Sequence, residues 1–369
     1  MIKFPVSEPE IGRQELAYVV ECVKSGWISS LGPFVGRFER AMADVCGVKH
    51  AVATANGTVA LHLALVALGI SRGDEVIVPD LTFVATANAV AYTGARVVLA
   101  DINPVSWNLD PSKLEALITS HTKAIIVVHL YGHPCDMRAI NAIARRHHLR
   151  VIEDAAEAHG AEYHRRMVGS LSDISTFSFY ANKTVTTGEG GMCLTNNRRL
   201  SERMRFLKDH AMSKTRRYFH PEIGFNYRLT ALQAAVGLAQ VERLPATLKQ
   251  KRRIAEWYKK GLAGVPGITL PPEAPGVRNS YWMYSVLVGP DYGLSRDALA
   301  ARLKKRGVDT RPFFCPLHQL PAYKSRRRFP VSERIATQGI NLPSSPKLSQ
   351  ADVQEIAAAI RSFARPKRR

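Results

Sequence analysis

A chain of 369 residues outgrows the usual single hydrophobic core, so one large domain with a smaller companion is expected. Hydrophobic residues at 46% and charged residues at 22%, with no repeat period or low-complexity tract, exclude a disordered chain. The formal charge of +20 draws polyanions, phosphorylated small molecules or anionic membranes without choosing among them, and no nucleic-acid-binding motif accompanies it. Basic clusters stand at Lys251-Arg252-Arg253, Arg326-Arg327-Arg328 and Lys367-Arg368-Arg369. The first residues, MIKFPVSEPEIG, lack a continuous apolar segment, and the longest apolar stretch, 60–70, carries His62 and is too short to span a bilayer. Cys22, Cys46, Cys135, Cys193 and Cys315 lie far apart with no C-x-x-C pair, which argues against a zinc site or disulfide framework and fits a reducing compartment. A cytoplasmic protein is expected, without membrane insertion and without a nucleic-acid partner.

In chain order, Asn56-Gly57-Thr58 opens an apolar helix-like segment at 59–68. From about residue 50 to 200, short β-branched runs alternate with longer helical patterns, the mark of βα units around a largely parallel sheet. Strands are predicted at 75–78, 97–99, 124–128, 151–153 and 176–179, with Asp136 capping a helix through 137–143. After about residue 240 the texture changes: a basic helical stretch at 248–262 is followed by Pro266-Gly267, Pro271-Pro272 and Pro275-Gly276. Beyond this punctuation come a strand at 283–288 and helices at 296–306 and 350–363. The expected division is 1–245 for an N-terminal segment and large α/β domain, and 246–369 for a smaller C-terminal α/β domain.

The strongest chemical signal is Phe177-Ser178-Phe179-Tyr180-Ala181-Asn182-Lys183, followed by Thr184-Val185-Thr186-Thr187-Gly188-Glu189-Gly190-Gly191. A strand ends in a polar turn bearing one lysine, and the glycines let backbone approach closely. This suits an amine that must lose its proton to attack an aldehyde; a surface lysine in a glycine-rich turn is the plain alternative. The lysine precedes the glycines, which excludes a Walker A loop. Asn56-Gly57-Thr58 reads either as a phosphate cradle at a helix start or as an ordinary cap. Glu153-Asp154 closes a buried strand at the sheet edge where ligands of open α/β sheets gather. Asp154 there serves a pyridinium nitrogen, a helix cap or a magnesium ion. His129, His133 and His159 lack the companions of a metal set, and no metal is expected. Trp27 and Tyr281-Trp282 line a nucleotide pocket or fill core, and Arg311 holds a carboxylate or diphosphate or lies on the surface.

Taken in order, these pieces resemble the sugar-nucleotide aminotransferases of the aspartate-aminotransferase (fold type I) superfamily of pyridoxal-phosphate (PLP) enzymes. The resemblance runs nearly end to end. It includes Gly26-Trp27-Ile28-Ser29-Ser30, His129-Leu130-Tyr131-Gly132, Gly224-Phe225-Asn226-Tyr227-Arg228 and Arg311-Pro312 besides the motifs above. It implies Lys183 as the Schiff-base lysine and Asp154 as partner of the ring nitrogen. Gly57, Thr58 and Ser178 would bind the cofactor phosphate, Phe83 would stack on the ring, and Asn226 would reach the phosphate of a second subunit's cofactor in a homodimer with shared sites. His159, Trp27 and Arg311 are candidate substrate contacts. Many relatives carry glutamine where this chain has Glu157, so that residue is expected to be protonated or turned away. The implied partners are a nucleotide-linked keto sugar and L-glutamate, with pyridoxamine phosphate as the intermediate cofactor form. Two rivals remain: relatives with histidine in place of the lysine are dehydratases, which Lys183 opposes, and a basic binding protein would use the fold only as scaffold.

Overall fold

The computed structural model describes residues 2–364; the Lys367-Arg368-Arg369 cluster lies outside them. Strands β1 (His50–Thr54), β2 (Glu75–Pro79), β3 (Arg96–Ala100), β4 (Thr122–Val128) and β5 (Arg150–Asp154) are followed by the short β6 (Glu162–Tyr163) and β7 (Arg166–Met167), then β8 (Ile174–Ser178) and β9 (Gly191–Thr195). Seven of them form one sheet in the order β1-β9-β8-β5-β4-β2-β3. Every pairing in it is parallel except those of β9, which runs against both neighbours. The parallel strands are nearly continuous apolar runs because both faces are covered. Helices α1 (Arg13–Ser25), α2 (Pro33–Cys46), α3 (Gly57–Ala67), α4 (Ala85–Tyr92), α5 (Met137–Arg146), α6 (Arg198–Leu207) and α7 (Ala231–Glu242) supply the cover. On one face Ile77, Ile125, Val127 and Val151 pack with Phe38 and Met42 of α2, Ile140 of α5 and Leu238 of α7. On the other, Val76, Val78, Ala124 and Ile126 pack with Leu61 and Leu65 of α3, Val90 of α4 and Met204 of α6.

The expected strands and the capped helix are present; the Asp136 side chain accepts from the Ala139 N–H at 3.2 Å. β1 and β9 were not predicted. The alanine-rich HAVAT and glycine-led GMCLT carry little strand signal, and their burial between neighbours decides their state.

α8 (Leu244–Leu262) leads into a second sheet of β10 (Ile268–Thr269), β12 (Tyr284–Val288), β13 (Arg311–Pro312) and β14 (Gly339–Leu342), while β11 (Val277–Arg278) pairs back onto β6. α9 (Arg296–Lys305), α10 (Pro330–Gln338) and α11 (Gln350–Phe363) complete the chain's helices among the described residues. Here Ile254 and Tyr258 of α8, Leu299 and Leu303 of α9, and Ile356 and Ile360 of α11 enclose a separate core. α8 belongs to both cores, because Leu244 and Leu248 pack under the large sheet. The N-terminal segment is divided too: Phe4 bridges to Val308 and sits in the smaller core, not the larger one.

Candidate active site

The parallel strands deliver Thr54, Pro79, Val128, Asp154 and Ser178 to one edge of the sheet, where the site is built. Asn56 caps α3, its Oδ1 accepting the Val59 N–H at 3.0 Å. Gly57 follows, and a Cβ added there would stand 2.7 Å from Cβ of Ser178 and 3.2 Å from its Oγ. In β9, Gly191 lies in register with both Thr54 and Ser178, and a Cβ on it would meet the Asn56 carbonyl oxygen at 2.3 Å. The start of α3, the end of β8 and the start of β9 thus approach at backbone distance. Unspent N–H groups of a helix start and the Ser178 hydroxyl converge on a cradle that suits a phosphate. The structure brings together Gly57, Ser178 and the half-buried Thr58 beside them.

Asp154 ends β5 with 6% exposure. Its Oδ2 accepts from the Thr86 hydroxyl at 2.8 Å, and its Oδ1 from the Ala156 N–H at 3.2 Å. Burial pushes its pKa up, against the pull of those two donors and of Lys183. The Lys183 amine lies 3.9 Å from Glu157 Oε1. Burial lowers the amine's pKa, the Glu157 and Asp154 charges raise it, and the Arg311 guanidinium lowers it again. Glu157 is not turned away. Its Oε2 accepts the Tyr131 N–H at 2.7 Å, and burial holds its pKa at about 7 despite Lys183 and that hydrogen bond. A carboxyl so poised supplies a donor or an acceptor near neutral pH.

Aromatic rings wall the amine. The Trp282 ring centroid is 3.7 Å from Lys183 Nζ, and Tyr131 stacks beyond it at 6.2 Å. Tyr131 also stacks on Phe314, whose ring is 5.7 Å from that of Phe83. Phe83 itself is 55% exposed, free to cover a ligand ring. Sequence reasoning missed Thr86 and Tyr131 as site residues and left Trp282 open between pocket and core. Thr86 lies three residues after Phe83, but nothing in the local sequence announces its bond to Asp154. Tyr131 takes a left-handed backbone (φ 52°), a conformation its residue type does not forecast.

The remaining candidates are more scattered. Arg311 opens β13 and is exposed, close enough to act on Lys183. Asn226 is exposed, and its Oδ1 accepts from Arg228 Nε at 2.9 Å. Trp27 is half exposed on the loop after α1, against Gly32. His159 departs from the expected sugar-side contact: at 1% exposure it packs on Phe177 and Phe179 in the core, with its pKa pushed down to about 3 by burial. No group of three or more histidines, cysteines or acids placed to hold a metal occurs among the described residues. No helix there is long and apolar enough to cross a membrane.

Residues 9–361 match the model of the DegT/DnrJ/EryC1/StrS aminotransferase family. The chain belongs to this family. Within the DegT/DnrJ/EryC1/StrS aminotransferases it is 49% identical to the GDP-perosamine synthase of Caulobacter vibrioides over 97% of each chain. It is 45% identical to that of Escherichia coli O157:H7, over 97% of this chain and 98% of the other. Among solved structures, the aminotransferase TlmJ from Streptoalloteichus hindustanus superposes with a TM-score of 0.92 at 35% identity, covering 98% of both chains. The protein is a PLP-dependent sugar aminotransferase with the fold type I architecture expected from its sequence. The donor set fits the cofactor: a cradle that a single Cβ would fill, a buried carboxylate and a buried amine share one sheet edge.

Proposed function

We propose that this aminotransferase moves an amino group from L-glutamate to C4 of GDP-4-keto-6-deoxy-D-mannose, producing GDP-perosamine. The observation that carries the chemistry is the buried Lys183 amine facing Asp154 and Glu157 beside the Gly57–Ser178 cradle. The choice of sugar rests on the GDP-perosamine synthases to which the chain is similar almost end to end.

In this reading Gly57, Thr58 and Ser178 hold the cofactor phosphate, Phe83 covers one face of its ring, and Asp154 keeps the ring nitrogen protonated. When bound, PLP supplies an electron sink for a carbon that has lost its proton. Lys183 would hold the cofactor covalently and, when free, would take the proton from Cα of glutamate, which leaves as 2-oxoglutarate, and in the second half-reaction would return a proton to sugar C4. Its low exposure and lowered pKa keep a fraction of the amine unprotonated for that work. Glu157 meets the cofactor's phenolic oxygen as donor or acceptor, and Arg311 meets the substrate's negative charge. Asn226 completes the phosphate site of a second copy, so the working unit is a homodimer. The enzyme works in the cytoplasm, in keeping with five free cysteines, and divides into units 1–245 and 246–369, with Phe4 and Leu248 each packing across that division.

The test is incubation with glutamate and a panel of GDP-, dTDP- and UDP-linked 4-keto-6-deoxy sugars, followed by mass identification of aminated product. Amination confined to a dTDP or UDP sugar overturns the choice of nucleotide. Failure with every sugar by a PLP-loaded preparation overturns the reaction.

A further inference from the structure

Lys251 of α8 is 3% exposed, and no carboxylate lies within ion-pair distance of it among the described residues. Its Nζ meets three backbone carbonyls instead: Trp282 at 3.1 Å, Ser344 at 3.0 Å and Tyr281 at 3.5 Å. Three acceptors match the three donors of an ammonium group. Burial lowers its pKa to about 7, and an apolar side chain would fill this space without burying an ionisable group at all, so the lysine needs a reason beyond packing. The peptide it grips carries Trp282. That indole donates from Nε1 to the Asn182 carbonyl at 2.7 Å, one residue before Lys183, and its ring lies 3.7 Å from Lys183 Nζ. The amine is thereby held between an aromatic face and Glu157.

We propose that Lys251 is a positioning residue for the transamination: by gripping the Tyr281–Trp282 peptide it sets the indole against the Lys183 amine. This rests on the reading of Lys183 as the reacting amine. The indole face favours the ammonium form and fixes where the amine waits when it is not bonded to the cofactor. Lys251 acts only through that ring. It is tied to the last strand's exit at Ser344, so the small sheet and the lysine loop are linked through one peptide.

The experiment follows the proton affinity of the Lys183 amine in the full-length chain freed of cofactor. Pyridoxal lacking the phosphate is added across a pH series, trapped with borohydride, and labelling at residue 183 is counted by peptide mass. Lys251→Met and Trp282→Leu are each expected to move the labelling midpoint by about half a pH unit or more in the same direction. Lys251→Met added to Trp282→Leu is expected to move it no further. Lys251→Gln keeps two donors and carries the test if the methionine variant does not fold; its shift falls between wild type and Trp282→Leu. Loss of thermal stability with an unmoved midpoint overturns the proposal, since that is what packing alone predicts. An equal shift in the Trp282→Leu background overturns it too, since that marks a direct charge effect. Lys183→Ala separates the underlying reading: labelling that persists in it at the same peptide locates the reacting amine elsewhere, and both readings fall.

Discussion

Replacing Gly57 by alanine sets two readings of the α3 start against each other. If the segment is only a helix end, alanine improves it: Ala is favoured over Gly in helices by up to about 1 kcal/mol, and Gly57 has no left-handed backbone to protect. If it is a cradle, the new Cβ stands 2.7 Å from Cβ of Ser178 and 3.2 Å from its Cα and Oγ. Carbon pairs settle at roughly 3.5–4.0 Å, so β8 and α3 must part by about 1 Å, at an overpacking cost of about 1–3 kcal/mol. That movement displaces the Ser178 hydroxyl from the position shared with the helix N–H groups. Loss of one hydrogen bond to a charged phosphate, at about 1.5–3 kcal/mol, weakens PLP binding by roughly 10- to 100-fold. Equilibrium titration of the cofactor-free chain, followed by absorbance, reads the affinity; thermal denaturation of the same samples reads the strain. A variant that binds PLP within about twofold of wild type, with an unchanged or raised midpoint, refutes the cradle.

Three further outcomes are expected. Asp154→Asn should slow both half-reactions by about a hundredfold or more while PLP stays bound, measured by single-turnover kinetics with glutamate and then keto sugar. Glu157, its pKa raised to about 7 in the folded chain, binds more protons folded than unfolded, so its burial costs more stability as pH rises. The cofactor-free Glu157→Gln variant should therefore gain thermal stability over wild type progressively from about pH 5 to about pH 8, and a gain confined to acid pH contradicts the sign. An unfolded and refolded equal mixture of Asn226→Asp and Lys183→Ala chains should recover about a quarter of wild-type activity if Asn226 serves a second copy's site. Mixed dimers that form and stay inactive remove Asn226 from that role.

The βα rhythm was legible because β4, buried on both faces, carries the unbroken apolar run 124–128, and β5 sets Val151 and Ile152 before its two carboxylates. Lys183, Asp154 and Gly57 were legible because a sheet edge gathers chemistry at strand ends: Asp154 closes β5, and Gly57 and Lys183 follow β1 and β8. What escaped detection depends on approach between segments distant in the chain. The partner of Asp154 is Thr86, 68 residues earlier, and the ring against Lys183 comes from a residue 99 positions later by numbering. His159 lies five residues after Asp154 at the same strand end, yet its ring turns into the Phe177 and Phe179 core, a choice of side-chain direction that spacing does not encode. Phe4 joined the small core beside Val308 through backbone hydrogen bonds to Gly307 and Asp309, which leave no pattern in either segment.

α8 also bears on how such a chain can be recombined. Its first turns pack with Leu244 and Leu248 under the large sheet, while Ile254, Tyr258 and Leu262 close the small core. A hybrid of two relatives joined at residue 245 would ask one helix from one parent to fit a floor from the other. A crossover beyond Leu262 keeps the helix with its floor but parts Ile254 and Tyr258 from the rest of the small core, and one before Thr230, which caps α7, parts Leu238 of α7 from Phe38 and Met42 of α2. Exchange of the C-terminal unit between members of this family should therefore disturb one of the two cores wherever the seam falls, and least where the residues that α8 meets in that core are the same in both parents.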